Sequence, residues 1–212
     1  MFDGDFETHV TVACTQRDVA ELSTWADEAG MKLTHVVLAR GRVTSQPMLT
    51  LNGSGTLAAQ RLAASQVTTD LANAGFTVTR VKVEAAPWTR GVPRSDAEAR
   101  ALGSEFYFEH HVKLVCSADP DELVRLAALV EPYCAHLSWN ARRVRADGRA
   151  ERFVTQRCFA VGDTSADAAL AELRAALVAD GREIVSVERE FVVYDSDAGL
   201  DDGWIDVGGP SA

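Results

Sequence analysis

Alternation of apolar and polar side chains is clearest at residues 6 to 14, FETHVTVAC. Phe6, Thr8, Val10, Val12 and Cys14 make one mostly apolar set, and Glu7, His9, Thr11 and Ala13 the opposite set. A period of two is that of a strand with one face buried. The stretch recurs at 108 to 116 as FEHHVKLVC, with Phe, Glu, His, Val and Cys in the same columns. There Phe106, Phe108, Val112, Leu114 and Cys116 share a face, while Glu109, His111 and Lys113 take the other. His110 falls with the apolar set and reads as a structural residue.

The repeat extends to whole units. The first predicts strand Phe6 to Cys14, helix Arg17 to Ala29, strands Lys32 to Arg40 and Pro47 to Leu51, helix Leu57 to Ala74, and strand Phe76 to Glu84. The second predicts strand Phe106 to Cys116, helix Pro120 to Tyr133, strands Ala135 to Val144 and Arg152 to Phe159, helix Ser165 to Asp180, and strand Glu183 to Tyr194. Asp119 before Pro120 suits a helix start, and Thr164 with Asp167 resembles a capping box. Gly75 and Gly181 stand where a helix stops in a left-handed conformation. Ala-Asp-Gly at 146 to 148 signals a hairpin turn.

A βαββαβ order is the ferredoxin-like split unit. The expected fold is therefore α+β, a tandem duplicate of that unit over residues 1–85 and 106–194. A linker at 86–105 joins the repeats, and an acidic tail at 195–212 follows, with Trp204 as its anchor against the body. Helices cover the apolar face of each sheet and leave an unusually polar face opposite. The two antiparallel sheets are expected to turn those polar faces toward each other about a pseudo-two-fold axis.

Parity then decides which side chains meet. His35 in LTHVVLARGRV aligns with His136 in CAHLSWNARRV, so each unit carries one histidine on its first strand and one on its second. Ser138 and Asn140 share a face with His136; Arg80, Lys82 and Glu84 share one on the first unit's last strand, as do Ser186, Glu188 and Glu190 on the second's. The expectation is a common cleft lined by His9, His35, His111 and His136 with Glu7 and Glu109. The plain alternative is a solvated sheet face.

A formal net charge of -10 argues against nucleic acid or an anionic membrane as partner. No run approaches the ~18 apolar residues of a membrane span, and the start, MFDGDFETHV, lacks a basic and apolar leader pattern, so a cytoplasmic protein is expected. Cys14, Cys116, Cys134 and Cys158 match no zinc spacing and read as buried, reduced thiols. Arg142, Arg143, Arg145, Arg149, Arg152 and Arg157 cluster on the second unit's central hairpin, echoed by Arg40 and Arg42. Guanidinium forks suit carboxylate and phosphate oxygens, which points to a small anionic ligand; a hairpin of ion-paired, solvated arginines is the alternative. NGSGT at 52 to 56 precedes a helix but lacks the spacing and lysine of a phosphate loop.

HVTV at 9 to 12 resembles the H-x-[ST]-x signature of the two-histidine (2H) phosphoesterases. The resemblance implies a symmetric cleft in which one histidine is base and the other acid on a phosphoester, with hydroxyl residues holding the phosphate. By position His9 and Thr11 match one motif and His111 the other, where Lys113 replaces the hydroxyl residue. HLSW at 136 to 139 fits the letters but lies on a different strand.

Three uses of such a cleft suit these residues. In the first, His9 and His111 are acid and base on a small anionic molecule, a phosphorylated one in keeping with the resemblance; Thr11 and Lys113 hold its oxyanion, and His35, His136, Ser138, Arg142 and Arg143 bind or orient it. In the second, His9, Glu7, His111 and Glu109 hold a divalent transition metal. In the third, the histidines are hydrogen-bonded inside a non-catalytic binding or assembly module.

Overall fold

Each unit's helices land on the apolar parity of its strands, and in the computed structural model this parity sets the whole architecture. The structure describes residues 1–15, 17–117, 119–143, 145–146 and 149–205. The first unit comprises β1 (Asp3–Ala13), α1 (Asp18–Glu28), β2 (Lys32–Leu38), β3 (Ser45–Thr56), α2 (Leu57–Asn73) and β4 (Thr77–Ala85). A connecting helix, α3 (Asp96–Leu102), leads to β5 (Tyr107–Cys116), α4 (Pro120–Val130), β6 (Ala135–Asn140), β7 (Ala150–Phe159), α5 (Asp163–Ala179) and β8 (Glu183–Asp195). Short 3-10 turns follow α4 at Glu131–Tyr133 and β8 at Ala198–Asp201.

Both halves are α+β with the ferredoxin-like strand order, and their polar faces do face each other. They also share edges. β2 pairs with β6, Val36 opposite Asn140 and Leu38 opposite Ser138, and β4 pairs with β8, Lys82 opposite Asp195 and Ala85 opposite Phe191. The result is one closed antiparallel barrel in the order β1-β3-β2-β6-β7-β5-β8-β4. Closure hydrogen-bonds the edge strands that two open sheets would expose.

The apolar cores lie outside the barrel wall, beneath the helices. Val10, Val12, Leu22, Leu49 and Leu71 pack under α1 and α2; Val112, Leu114, Leu126, Leu137, Leu173 and Leu177 pack under α4 and α5. A third cluster joins Phe2, Phe6, Val83, Phe108 and Phe191. Burying each of these large side chains is worth roughly 1.5–3 kcal/mol, so the wall is anchored from its outer side and the interior is left to polar groups.

Local chemistry explains the borders. Asp119 caps α4 by accepting from Asp121 N, with Pro120 in the first turn, and Gly75 and Gly181 follow α2 and α5 at φ +88° and +76°. The box expected at Thr164 is not there: α5 starts at Asp163 after Gly162, without a side-chain cap. A capping box stands instead at Ser95 and Glu98, which starts α3 inside the stretch expected to be an irregular linker. β3 runs through NGSGT to Thr56, whose side chain accepts from Ala59 N to cap α2. Of the turn expected at 146 to 148, Asp147 and Gly148 lie outside the described residues, as does Val144 at the expected end of the strand. Among the described residues no helix is long and apolar enough to cross a membrane.

The tail is more ordered than its composition suggests. After Asp195 the chain turns across one end of the barrel. Trp204 packs on Leu38 and Ile205, and its indole Nε1 donates to Leu137 O at 3.1 Å. Asp201, 3% exposed, is carried into the barrel end by this segment.

Candidate functional site

Five antiparallel steps around the barrel separate β1 from β5, so the two strands run in opposite directions. Glu7, His9 and Thr11 on β1 and Glu109, His111 and Lys113 on β5 all line the interior cavity. Strand register makes the two sets equivalent. His9 is opposite Thr50 on β3, and His111 is opposite Thr155 on β7; Glu7 is opposite Glu84 on β4, and Glu109 is opposite Glu190 on β8.

The side chains repeat that equivalence. His9 Nδ1 is 3.2 Å from Thr50 Oγ1 and His111 Nδ1 is 3.0 Å from Thr155 Oγ1. His9 Nε2 lies 3.0 Å from Glu84 and 3.4 Å from Glu7. His111 Nε2 lies 3.3 Å from both Glu109 and Glu190. Lys82 Nζ breaks the symmetry, bridging Glu84 at 2.6 Å and Glu109 at 2.7 Å.

Burial opposes charge on each imidazole, but Glu84 beside His9, and Glu109 with Glu190 beside His111, outweigh it. Both rings are thereby raised above the ordinary histidine range, His111 strongly so. The carboxyls diverge. Burial would raise Glu84 and Glu109, yet Lys82 and His9 hold the first low, and Arg157 and Lys82 hold the second low. Glu190 goes the other way, pushed up to about 7 by burial and by the charge of Glu84. Paired carboxyls with opposed shifts are a common mark of a working site, although buried ion networks produce them too.

One end of the barrel is shut. Asp201 Oδ2 accepts from Arg80 Nη1 at 2.8 Å and Arg157 Nη2 at 2.6 Å, and its Oδ1 accepts from Gln46 Nε2 at 3.0 Å. Arg157 Nε also donates to Glu109 Oε2 at 2.5 Å, and Arg80 is paired with Asp195. Exposure records the difference between the ends: the Glu109 side chain is 1% accessible and that of its twin Glu7 34%. The cavity measures about 260 Å³; Val36, Met48, Trp139 and Phe153 supply its apolar wall, and Lys32, Arg143 and Glu188 are exposed members of its lining.

Of the residues expected to line the cleft, His9, Thr11, Glu7, Glu109, His111, Lys113, Ser138 and Arg143 do so. His35 does not. Its Nε2 is 2.8 Å from Ser45 Oγ on the outer face, where burial and Arg142 lower its proton affinity. Lys32, opposite Thr50, is the true counterpart of His136, opposite Thr155. The pairing of His35 with His136 was thus three residues out, and an odd slip exchanges the faces of a strand. His136 has the inward parity but is not among the cavity-lining residues; Arg40 Nη2 donates to its Nδ1 at 3.2 Å. Arg142 points away, donating to Ser23 Oγ at 2.9 Å. The arginine cluster is largely ion-paired: Arg143 and Arg145 contact Glu151, Arg149 contacts Glu183, and Arg157 contacts Glu109 and Asp201. Cys116 is buried, Cys14 and Cys158 are half-buried, and Cys134 is exposed, so burial does not hold for all four free thiols.

Glu84, Glu190 and Lys82 complete the site beyond the expected set, and the alternation of β4 and β8 carries their inward parity. The atoms of Glu84, His111 and Glu190 converge to within 4.8 Å of one another, a different set from the expected Glu7, His9, Glu109 and His111.

No protein-family model matches the sequence, and no curated protein does. Among solved structures, the acetolactate synthase small subunit of Thermotoga maritima aligns with 90% of this chain and 95% of its own at 10% identity and a TM-score of 0.30. Chlorite dismutase from Candidatus Nitrospira defluvii, in complex with imidazole, aligns with 91% of this chain and 92% of its own at 13% identity and a TM-score of 0.29. Likenesses of this size carry no chemistry across.

Proposed function

We propose that the barrel binds a small molecule bearing an anionic group, with that group at the open end and the rest of the molecule reaching inward. The supporting observation is a cavity of about 260 Å³, closed at one end by Asp201 and Trp204 and edged at the other by Lys32, Lys113 and Arg143. Ligand pockets usually start near 300 Å³, so the molecule is small. An anion deep among Glu84, Glu109 and Glu190 would meet like charges in a low dielectric; at the mouth it meets Lys32 and shares Lys113 and Arg143 with Glu151, where water screens the carboxylates of Glu7 and Glu188. The uncharged body then lies along Val36, Met48, Phe153 and Trp139. In the catalytic form of this reading His9 and His111 are the acid and base.

Trp139 and Trp204 both line the cavity, so intrinsic fluorescence reports its occupancy. Benzoate and phenyl phosphate should quench it saturably, benzyl alcohol far less, and Lys32→Ala with Lys113→Ala should weaken the anions selectively. Equal responses to all three compounds, or none to any, would overturn the reading.

A second reading follows the phosphoesterase resemblance and is favoured by His9 and His111 lining one cavity. Because β1 and β5 run oppositely, Thr11 and Lys113 project toward opposite ends from their histidines, so one phosphate would not engage both. Hydrolysis of p-nitrophenyl phosphoesters, abolished in His9→Ala and His111→Ala, is its test.

A further inference from the structure

Three neighbouring strands of the barrel wall, β4, β8 and β5, each direct one ligand atom to a common point in the interior. The residues are Glu84, His111 and Glu190, and their atoms lie within 4.8 Å of one another. We propose that they form a site for a divalent first-row transition metal ion of the zinc, iron or manganese type. One imidazole and two carboxylates suit such ions, and three protein ligands leave further coordination positions turned to the cavity.

An independent observation is the imperfect satisfaction of these two carboxylates. The Glu84 side chain is 1% accessible and its two oxygens are held by ion contacts off ideal hydrogen-bond geometry, Oε1 2.6 Å from Lys82 Nζ and Oε2 3.0 Å from His9 Nε2. Glu190 Oε2 is likewise buried, with an ion contact of 3.3 Å to His111 Nε2. Buried carboxylate oxygens normally accept well-formed hydrogen bonds, and ones held off that geometry leave room for an ion to improve on the contacts they have.

His111 is already oriented for the role. Its Nδ1 sits 3.0 Å from Thr155 Oγ1, a hydroxyl able to accept from Nδ1–H, and in that tautomer the Nε2 lone pair is directed at the carboxylates. Bonds of roughly 2.0–2.2 Å would require the three atoms to draw together by about 1–1.5 Å, a side-chain adjustment with the strands unmoved. The surroundings carry both signs. Lys82 on β4 and His9 on β1 oppose a cation, while Glu7 on β1, Glu109 on β5 and Glu188 on β8 favour it. Lys82 can stay on Glu109 and Glu84 Oε1, and the ion takes Glu84 Oε2 in place of its 3.0 Å contact with His9 Nε2.

The proposal goes beyond the ligand-binding reading and does not depend on it, because the ion is bound by the chain alone. Tagless protein, stripped with a chelator, is titrated with Zn²⁺ by calorimetry and with Co²⁺ by visible absorption, without any organic ligand. One ion per chain is expected, with d–d bands for Co²⁺. Glu84→Gln, His111→Ala and Glu190→Gln should each weaken binding by more than roughly 100-fold, beyond the loss typical of an outer-shell partner, and His35→Ala should not. Should an inner variant fail to fold, the wild-type protein still decides: Co²⁺ must shift and broaden the His111 ring signals before those of His35 and His136. Absence of binding, or binding reported only by His35 or His136, overturns the site while leaving the fluorescence test of the cavity untouched.

Discussion

His9 and His111 stand in equivalent positions on antiparallel strands, each with Nδ1 against a threonine and Nε2 between two glutamates. The threonines, Thr50 and Thr155, fix ring orientation from behind. Thr155→Val should therefore leave a buried imidazole nitrogen unpaired and destabilise the protein by roughly 1–3 kcal/mol. Thr50→Val should cost a similar amount. Urea denaturation at neutral pH measures both, and a change well below ~0.5 kcal/mol in either variant would deny the threonine that role.

How much of this was readable beforehand follows from strand periodicity. Two first strands with the same alternation gave the duplication, the inward side of Glu7, His9, Glu109 and His111, and the polar interior. The second strands misled because the extra 3-10 turn Glu131–Tyr133 shifts β6 relative to β2, so two histidines that match by letter differ in face. Edge pairing of β2 with β6 and β4 with β8 leaves no mark in either strand's own pattern, since it depends on where the partner lies. Asp201 was hidden for a different reason. Its burial is created by Arg80 and Arg157, which are distant in sequence, and an acidic tail resembles a solvated one until such partners are placed.

Asp201 is the buried ionic contact between the tail and the barrel, beside the hydrogen bond from Trp204 Nε1 to Leu137 O. Asp201→Asn keeps the shape but leaves Arg80 and Arg157 buried with less counter-charge. Removing one partner of a buried pair typically costs about 3–5 kcal/mol. The retained Arg80–Asp195 and Arg157–Glu109 contacts should hold the loss toward the lower figure. Chemical denaturation gives the magnitude, and proteolysis near residue 195 should accelerate if the segment detaches. Unchanged stability and unchanged cleavage would mean that Trp204 and the Arg42 contacts to Gly199 and Asp202 keep the end closed without it.

The same contact predicts behaviour in acid. Burial works to raise the Asp201 carboxyl, but Arg80 and Arg157 hold it below its ordinary value near 3.8. A depressed carboxyl contributes stability that is present above the unfolded value and lost as pH falls through the folded one. Glu109, held low against burial by Arg157 and Lys82, acts in the same direction. Stability should thus fall steeply below about pH 4. Trp204 fluorescence should change with it, and the acid slope should be shallower in Asp201→Asn; parallel slopes in the two proteins would remove Asp201 as its source.

Glu190 has the opposite sign. Its carboxyl is raised from 4.5 to about 7, first by burial and then by Glu84, with His111 and His9 only partly offsetting them. Between those values the folded protein keeps a proton that the unfolded chain has released, so stability declines as pH rises through the window and levels off above it. Glutamine has no proton to lose. Glu190→Gln should therefore be worth more at pH 8 than at pH 5, by on the order of 1–3 kcal/mol relative to wild type. The raised imidazoles of His9 and His111 give a decline of the same sign that begins above the ordinary histidine value of 6.5, so part of the slope should persist in the variant. Urea denaturation at intervals from pH 5 to 8 separates the two contributions, because only the portion below pH 7 belongs mainly to Glu190. A variant whose stability tracks wild type across that range would mean that Glu190 is already ionised in the folded barrel, and that the repulsion between it and Glu84 is relieved by some other group.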